Sequence, residues 1–474
     1  MSAAAPRAFP PGLFRGLRFA VVGLGRMGLP AARALAAMGA EVAAWDDRAE
    51  ARADAAGLRV EDPAPGIAGF DALVLSPGIP HRLPRPHPAA AAAAALGVPV
   101  WTDAELLYQA VRRAGSAARF AGVTGTNGKS TTTALLGHVL GAAGLPTAVG
   151  GNLGPAALGL PFLPDHGSYV LEMSSYMLER LATLRFSAAA MLNLSPDHLE
   201  RHGDMAGYAA AKRAIFARQG ASDLAVVGAD DPASDALAAS LPGRVVRVSG
   251  LHPADVWCEA GVLRDGDGPI LAMADAPALP GPHNAQNAAA AAALAAHLGA
   301  GREAVAQGIA SFPGLPHRQR LIAVRDGIAF VDDSKATNAD AAARALATYD
   351  RVVLIAGGIA KAGGVADLAP LFPRIAHAVL IGRDAALLAA QLRDGGVAHH
   401  VAGTLDAAVP DAFALARALS APTVLLSPAC ASFDQFTGFE ERGRRFAALA
   451  AQLGTGQAET GQAETSRGKI GRAA

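Results

Sequence analysis

The chain has 474 residues, enough for two to four domains of ordinary size with several buried cores. Its 41 basic and 41 acidic residues balance, so nothing marks a surface for nucleic acid, and no apolar run approaches the roughly 20 residues that span a bilayer. Two cysteines, Cys258 and Cys430, lie far apart, which argues against a disulfide framework or a zinc site and fits a reducing, cytoplasmic setting.

In chain order, Arg15 and Arg18 precede an apolar stretch in the manner of a signal peptide. That stretch contains Gly23, Gly25 and Gly28 in a strand–turn–helix pattern, so it reads as structure. A strand is predicted over 18–22, a helix over 29–38, a strand over 41–45 ending in Asp46 and Asp47, and a buried strand over 72–75 that stops at Ser76-Pro77-Gly78. Gly23-Leu24-Gly25-Arg26-Met27-Gly28 is a literal dinucleotide fingerprint, and Asp46 stands where a ribose-binding acid would. Alone it would suggest an NAD-dependent dehydrogenase. A second nucleotide loop further on, and the small size of this block, argue against that, leaving a phosphorylated ligand at the helix N-terminus.

The second block opens near Arg119. A strand over 120–123 runs into Thr124-Gly125-Thr126-Asn127-Gly128-Lys129-Ser130-Thr131, a P-loop variant in which Val123 stands where the strict spacing needs glycine. Glycine-rich backbone and a helix N-terminus suit phosphate oxygens, Lys129 suits the β- and γ-phosphates, and the Ser130 or Thr131 hydroxyl suits Mg²⁺. Further strands are predicted over 169–172, 188–192 and 224–227. Glu172 would close a strand opposite the phosphate loop, where a carboxylate suits Mg²⁺. The alanine run 288–296 reads as a packed helix. After the hinge Phe312-Pro313-Gly314-Leu315-Pro316, strands are expected over 328–331, 352–356, 378–381 and 423–426. Strands alternating with helices imply parallel, doubly wound sheets. The pentapeptide TGQAE occupies 455–459 and repeats at 460–464, so the end is expected to be disordered.

The residues 124–131, Glu172-Met173-Ser174-Ser175-Tyr176, the run from Asn193 through Asp197-His198 to His202, Lys212, His283-Asn284-Ala285-Gln286-Asn287 and His317-Arg318 together resemble the Mur ligase family, in family order and over nearly the whole chain. The resemblance implies three α/β domains: a Rossmann-like N-terminal domain (1–107), a central P-loop-type ATP-binding domain (108–314) and a Rossmann-like C-terminal domain (315–453), followed by the tail 454–474. Asp332-Asp333-Ser334-Lys335-Ala336-Thr337-Asn338 and the segment 427–436 (SPACASFDQF) resemble the member that adds D-glutamate to UDP-N-acetylmuramoyl-L-alanine in peptidoglycan precursor synthesis. Folylpolyglutamate synthase or another sister ligase is the runner-up within enzymes, and an inactive nucleotide-binding regulator the alternative outside them.

Making an amide from a carboxylate requires its activation, which ATP supplies as an acyl phosphate, with cations neutralising the transferring phosphoryl group. The resemblance implies Lys129, Glu172, His198 and Lys212 as catalytic residues. It implies ATP contacts from Gly125, Thr126, Asn127, Gly128, Lys129, Ser130, Thr131, Asn287, Arg318 and Asp333. Gly25, Arg26, Met27, Asp46, Gly78, Asn152 and His198 would hold the UDP substrate, and Lys335, Thr337, Ser432 and Phe439 the D-glutamate. Two Mg²⁺ ions would use Ser130, Glu172, His198 and Lys212. By pattern alone Lys212 is a solvated helix lysine; the resemblance implies that it is carbamylated. His317 sits at the hinge with either a nucleotide-binding or a plain hinge role. The sequence departs from the family at Met27, where many relatives carry a small hydroxyl residue, and near Lys361, where relatives often carry a preceding aspartate. Domain closure, a monomer and no membrane partner are expected.

Overall fold

The computed structural model describes residues 7–361 and 363–453. The repeat-bearing tail expected from the sequence lies outside the described residues. The chain divides into two compact units between Gly314 and Leu315.

The first unit holds two sheets. Short apolar runs form β1 (Arg18–Val22), β2 (Glu41–Trp45), β4 (Ala72–Leu75) and β5 (Val100–Trp101), and the exposed pair Arg59–Val60 forms β3. All are parallel, in the order β3-β2-β1-β4-β5. Strand order reverses between β1 and β4, which opens a crevice beyond their carboxyl ends, the usual ligand position in such sheets. The second sheet comprises β6 (Arg119–Thr124), β7 (Thr147–Gly151), β8 (Ser168–Glu172), β9 (Ala188–Met191), β10 (Leu224–Gly228), β11 (Arg244–Ser249), β12 (Val256–Glu259), β13 (Val262–Asp265) and β14 (Gly268–Ala272). Its order is β14-β13-β12-β11-β10-β9-β6-β8-β7. β6 lies between β8 and β9 and parallel to both, so the carboxyl ends of these strands are neighbours. A single hydrophobic cluster, including Phe14, Phe19, Leu106, Phe120, Tyr169 and Phe216, serves both sheets.

The second unit has one sheet of β15 (Arg320–Arg325), β16 (Ile328–Asp332), β17 (Val352–Gly357), β18 (Ile375–Ile381), β19 (His399–Gly403) and β20 (Thr423–Leu426), in the order β15-β16-β20-β17-β18-β19. β15 is antiparallel and the remaining pairings are parallel. Successive side chains of β17 point to opposite faces: Leu354 packs with Leu346 and Leu380, and Val353 and Ile355 pack with Val409 and Phe446. Burial on both faces explains why β17 reads as a continuous apolar run. Among the described residues no helix is long and apolar enough to cross a membrane.

The predicted strands 18–22, 41–45, 72–75 and 423–426 coincide with β1, β2, β4 and β20. Those over 169–172, 188–192 and 224–227 fall on β8, β9 and β10 with one end moved by a residue, and that over 120–123 on β6 with both ends moved by one. The antiparallel hairpins of β12 to β14 are not among the predicted strands: their apolar runs are only two to four residues long and are cut by glycine and charged residues at the turns.

One buried arginine organises the loops at the carboxyl ends of the second unit's sheet. Arg442, 1% exposed, lies on the helix Phe439–Gln452. Its guanidinium donates to Ser334 Oγ at 2.9 Å, Ser334 O at 2.8 Å, Cys430 O at 3.1 Å and Gly357 O at 3.4 Å. The fixed fork of five donors lets one side chain satisfy carbonyls from three separate segments. Desolvation lowers its pKa to about 10. Arg442→Met should destabilise the second unit by about 2–4 kcal/mol, since buried carbonyls lose their donors. Faster amide exchange in β17 and β20, with β6 and β8 unaffected, is the expected observation; unchanged exchange would contradict it.

Candidate active site

The glycine loop after β1 turns through Gly23 at φ 91° into the helix Gly28–Ala37. A Cβ at Gly28 would stand 1.8 Å from the Gly23 carbonyl oxygen, so only glycine closes this turn. The loop borders a cavity of about 530 Å³ whose lining includes Gly25, Arg26, Met27, Asp46, Gly78 and Asn152. The cavity therefore brings together six residues that the sequence assigns to one ligand. Sequence reasoning missed Ser76, Arg48 and His87, which also line it. Ser76 Oγ donates to Gly23 O at 2.7 Å and ties the two walls together.

Asp46 is 7% exposed, and its oxygens accept the backbone N–H groups of Leu24 at 2.8 Å and Arg48 at 2.9 Å. Burial pulls its pKa up, but these hydrogen bonds and the Arg48 charge outweigh that and hold it below the ordinary value. Asp46 thus shapes the loop as well as bordering the cavity. Met27 is 9% exposed and belongs to the apolar cluster. Arg26, beside it, donates to the Asn152 carbonyl at 2.9 Å.

The second loop joins β6 to the helix Lys129–Ala142, whose N-cap Gly128 adopts φ 84° and makes no side-chain cap. A Cβ on Gly128 would meet Asn287 Oδ1 at 2.4 Å, so Asn287 packs directly against the loop backbone. Asn287 also accepts from Thr132 Oγ1 and donates to Asn284. Asn193, just beyond β9, pins the loop: its carbonyl accepts Thr126 N at 3.0 Å and its Oδ1 accepts Asn127 N at 2.8 Å. Ser130 is 8% exposed, whereas Thr131 is half-buried.

Lys129 Nζ donates to Gly125 O at 2.9 Å and Thr126 O at 2.7 Å. Lys212 Nζ, from the helix Met205–Arg213, donates to the same Gly125 carbonyl at 2.7 Å. Here the structure corrects the reading by pattern alone: Lys212 is 2% exposed, with its ammonium over the Tyr208 ring at 4.8 Å. Desolvation, with the Lys129 charge, lowers its pKa well below the ordinary lysine value.

Glu172 ends β8 and is 2% exposed. Its Oε1 accepts from Asn152 Nδ2 at 2.6 Å, while Oε2 is enclosed without a hydrogen-bond partner. A buried, half-satisfied carboxylate oxygen costs free energy, and a divalent cation would meet that demand. His198 follows β9 in the left-handed conformation at φ 56°, with its ring 5.0 Å from that of Tyr176 and near the Asp197 carboxylate. Among the described residues no three His, Cys, Asp or Glu side chains converge as a ready metal cage. Mg²⁺ bound through one or two protein groups plus phosphate and water suits such a setting.

In the second unit, Asp333 is 6% exposed, accepting Ser427 Oγ at 2.8 Å and Gln319 N at 3.2 Å. Arg318 lies near enough to act on its charge. His317 at φ 62° pairs Nδ1 with Asp332 Oδ2 at 2.7 Å, which favours an anchoring role at the hinge. Lys335 Nζ sits 4.2 Å above the Phe439 ring, Ser432 is 2% exposed in the turn that follows Cys430, and Thr337 is half-buried. Asn287 belongs to the first unit, Arg318 and Asp333 to the second.

Sheets of this topology, a TGTNGKST loop packed on an asparagine, and a buried carboxylate at the next strand end define a class, and the comparisons agree. Residues 123–295 match the Mur ligase middle domain, and residues 317–430 match the Mur ligase glutamate ligase domain. Residues 18–72 match the NAD binding domain of 6-phosphogluconate dehydrogenase. This chain belongs to the Mur ligase family. It is 50% identical over 456 residues to the UDP-N-acetylmuramoylalanine--D-glutamate ligase of Paramagnetospirillum magneticum, covering 94% of this chain and 99% of that one. The ligase of the same name from Rhodospirillum rubrum is 47% identical over 463 residues, covering 93% and 95%. Among solved structures, the UDP-N-acetylmuramate-alanine ligase MurC of Thermotoga maritima aligns with a TM-score of 0.58 at 20% identity, over 91% of this chain and 98% of that one. MurF from Acinetobacter baumannii aligns with a TM-score of 0.56 at 20% identity, over 93% and 92%. These two share the fold.

Desolvation raises the Asp333 pKa to about 7 from an ordinary 3.8. Between those values the folded unit binds more protons than the unfolded chain, so stability falls as pH rises through the window. Unfolding of the second unit, followed from pH 4.5 to 8, should show that decline, and Asp333→Asn should flatten it. A wild-type slope of the opposite sign would refute this.

Proposed function

We propose that this chain joins D-glutamate to UDP-N-acetylmuramoyl-L-alanine in peptidoglycan precursor synthesis. ATP activates the substrate carboxylate as an acyl phosphate, and ADP and phosphate are released. The observation that carries the substrate assignment is the identity of 50% to a ligase of that name over 99% of its length. The working division is 1–107 for the UDP moiety, 108–314 for ATP and 315–453 for ATP and the amino acid, in a cytoplasmic monomer.

In this reading Gly25, Arg26, Met27, Asp46, Gly78 and Asn152 hold the nucleotide-sugar, with His198 beside it. Residues 125–131 and Asn287 hold the ATP phosphates, and the helix N-terminus and Lys129 stabilise charge on the moving γ-phosphoryl group. In the second unit, Arg318 and Asp333 are assigned to ATP, and Lys335, Thr337, Ser432 and Phe439 to D-glutamate. A cation and a hydroxyl suit the distal carboxylate of D-glutamate. Mg²⁺, as two ions, would be held by Ser130 and Glu172 and by His198 and carbamylated Lys212, and would neutralise phosphate charge. The buried, unpartnered Glu172 oxygen supports the first. The depressed Lys212 pKa supports the second, because an uncharged amine is the form that adds carbon dioxide.

The NAD-domain match over 18–72 favours a second reading, nicotinamide binding at the glycine loop. It covers only the first sheet's opening strands and brings no hydride-transfer site with it. Titrating the whole chain with NADH and UDP separates the readings.

With ATP and UDP-N-acetylmuramoyl-L-alanine, D-glutamate should support strong ADP release while L-alanine and diaminopimelate do not. Oxygen-18 in the substrate carboxylate should appear in the released phosphate. Equal turnover with all the amino acids, or AMP and pyrophosphate as products, would overturn the proposal. Separately, Lys212→Ala and Glu172→Gln should each lower turnover by about a hundredfold or more while the unfolding temperature is held, because each removes charge stabilisation used at the transition state. Near-normal turnover of Lys212→Ala in bicarbonate-free buffer would remove the carbamate.

A further inference from the structure

The wall of the cavity that follows β4 presents backbone carbonyls, and every one from Leu75 to Gly78 is taken by an arginine. Arg180 Nη1 donates to Leu75 O at 2.7 Å and to Ser76 O at 3.4 Å, and its Nη2 donates to Pro77 O at 3.2 Å. Arg201 Nη1 donates to Gly78 O at 3.0 Å. Ser76, Pro77 and Gly78 line the cavity; neither arginine does.

Both arginines come from the segment between Glu172 and Tyr208. Arg180 follows the short helix Ser175–Leu178, is 3% exposed, and also donates to Tyr176 O at 2.8 Å. Arg201 lies in the helix Leu199–His202 with its guanidinium 4.3 Å from the Tyr176 ring centre. Its Nη2 is enclosed without a hydrogen-bond partner. Neither arginine forms an ion pair with a carboxylate among the described residues; the adjacent Glu179 carboxylate is engaged by His202 at 2.8 Å. Burial lowers the Arg180 pKa to about 10, which leaves it charged at neutral pH.

Glu179 and Asp103 act on the Arg180 charge without contacting it. A buried guanidinium with no carboxylate bonded to it is a costly way to hold a loop, since uncharged donors would satisfy carbonyls with a smaller desolvation penalty. The carbonyl oxygens point away from the cavity, at guanidinium groups that stand behind its wall. Two fixed positive charges there favour an anion in the cavity, and a low-dielectric setting preserves the strength of that field. We infer that Arg180 and Arg201 are positioning residues that give this cavity its preference for a diphosphate-bearing nucleotide over the uncharged nucleoside, acting through the Leu75–Gly78 carbonyls. This rests on the nucleotide-sugar reading of the cavity and adds the source of its charge selectivity.

The test is calorimetric titration of the full chain with UDP and with uridine, for wild type, Arg180→Met, Arg201→Gln and Arg180→Lys. Each charge removal should weaken UDP binding about tenfold or more while changing uridine binding less than about twofold, as a field acting on charge requires. Arg180→Lys should recover part of the loss. In turnover, KM for the nucleotide-sugar should rise with KM for ATP unmoved. Equal weakening of UDP and uridine would reduce both arginines to wall supports and overturn the inference, as would unchanged UDP binding. If Arg180→Met does not fold, Arg201→Gln, at a half-buried position, decides by the same ratio. A wild type that binds neither UDP nor uridine would instead overturn the reading of the cavity, and this inference with it.

Discussion

The Gly125 carbonyl accepts hydrogen bonds from two lysine amines, Lys129 and Lys212, which enter from different helices. Two ammonium groups on one acceptor repel, and burial strips Lys212 of water. The charged state of that pair is therefore relieved in one of two ways: loss of a proton, or the arrival of an anion. The depressed Lys212 pKa reflects the first; a triphosphate would supply the second. The loop is held for this by Asn193 on one side and Asn287 on the other, with glycine at 128 because any Cβ would collide with Asn287. Sheet order explains why so many groups meet there. β6 sits between β8 and β9, so the phosphate loop, Glu172 and the Asn193–His198 segment all leave from adjacent strand ends.

Asn152 connects this centre to the other cavity of the first unit. Its side chain holds Glu172 Oε1, and its backbone carbonyl receives Arg26 from the glycine loop. One residue thus borders the proposed nucleotide-sugar cavity and orients the proposed metal carboxylate. A carboxylate to be phosphorylated and a γ-phosphate to be transferred must be brought into one geometry, and short, directional hydrogen bonds between the two subsites serve that need.

Irregular backbone at the carboxyl ends of parallel strands leaves carbonyls without ladder partners, and both units meet that demand with buried or half-buried arginine. Arg442 gathers Ser334, Gly357 and Cys430 in the second unit; Arg180 and Arg201 gather residues 75–78 in the first. The guanidinium suits the task because its donors diverge in a plane and its charge survives burial. None of these arginines stands out in sequence. Arg201 and Arg442 lie among polar residues on helices and Arg180 in the turn after one, and most of the carbonyls that they serve are far away along the chain.

The sequence by itself determined the alternation of strands and helices, the two glycine loops and the residue types set around them. Those features are local: apolar runs of four to six residues make strands, and glycine at fixed offsets permits turns that no other residue allows. It also determined the family, since the motif residues stand in order along nearly the whole chain. Tertiary structure decided what depends on distant neighbours. It placed Lys212 in a dry pocket rather than in water and left one oxygen of Glu172 unsatisfied. It assigned Asp46 to hold the loop backbone and tied His317 to Asp332. It also put arginines behind a wall of carbonyls. Burial and electrostatic coupling are properties of what surrounds a group after folding, and a lysine in a helix carries the same local signal whether its ammonium ends in solvent or against a phosphate loop.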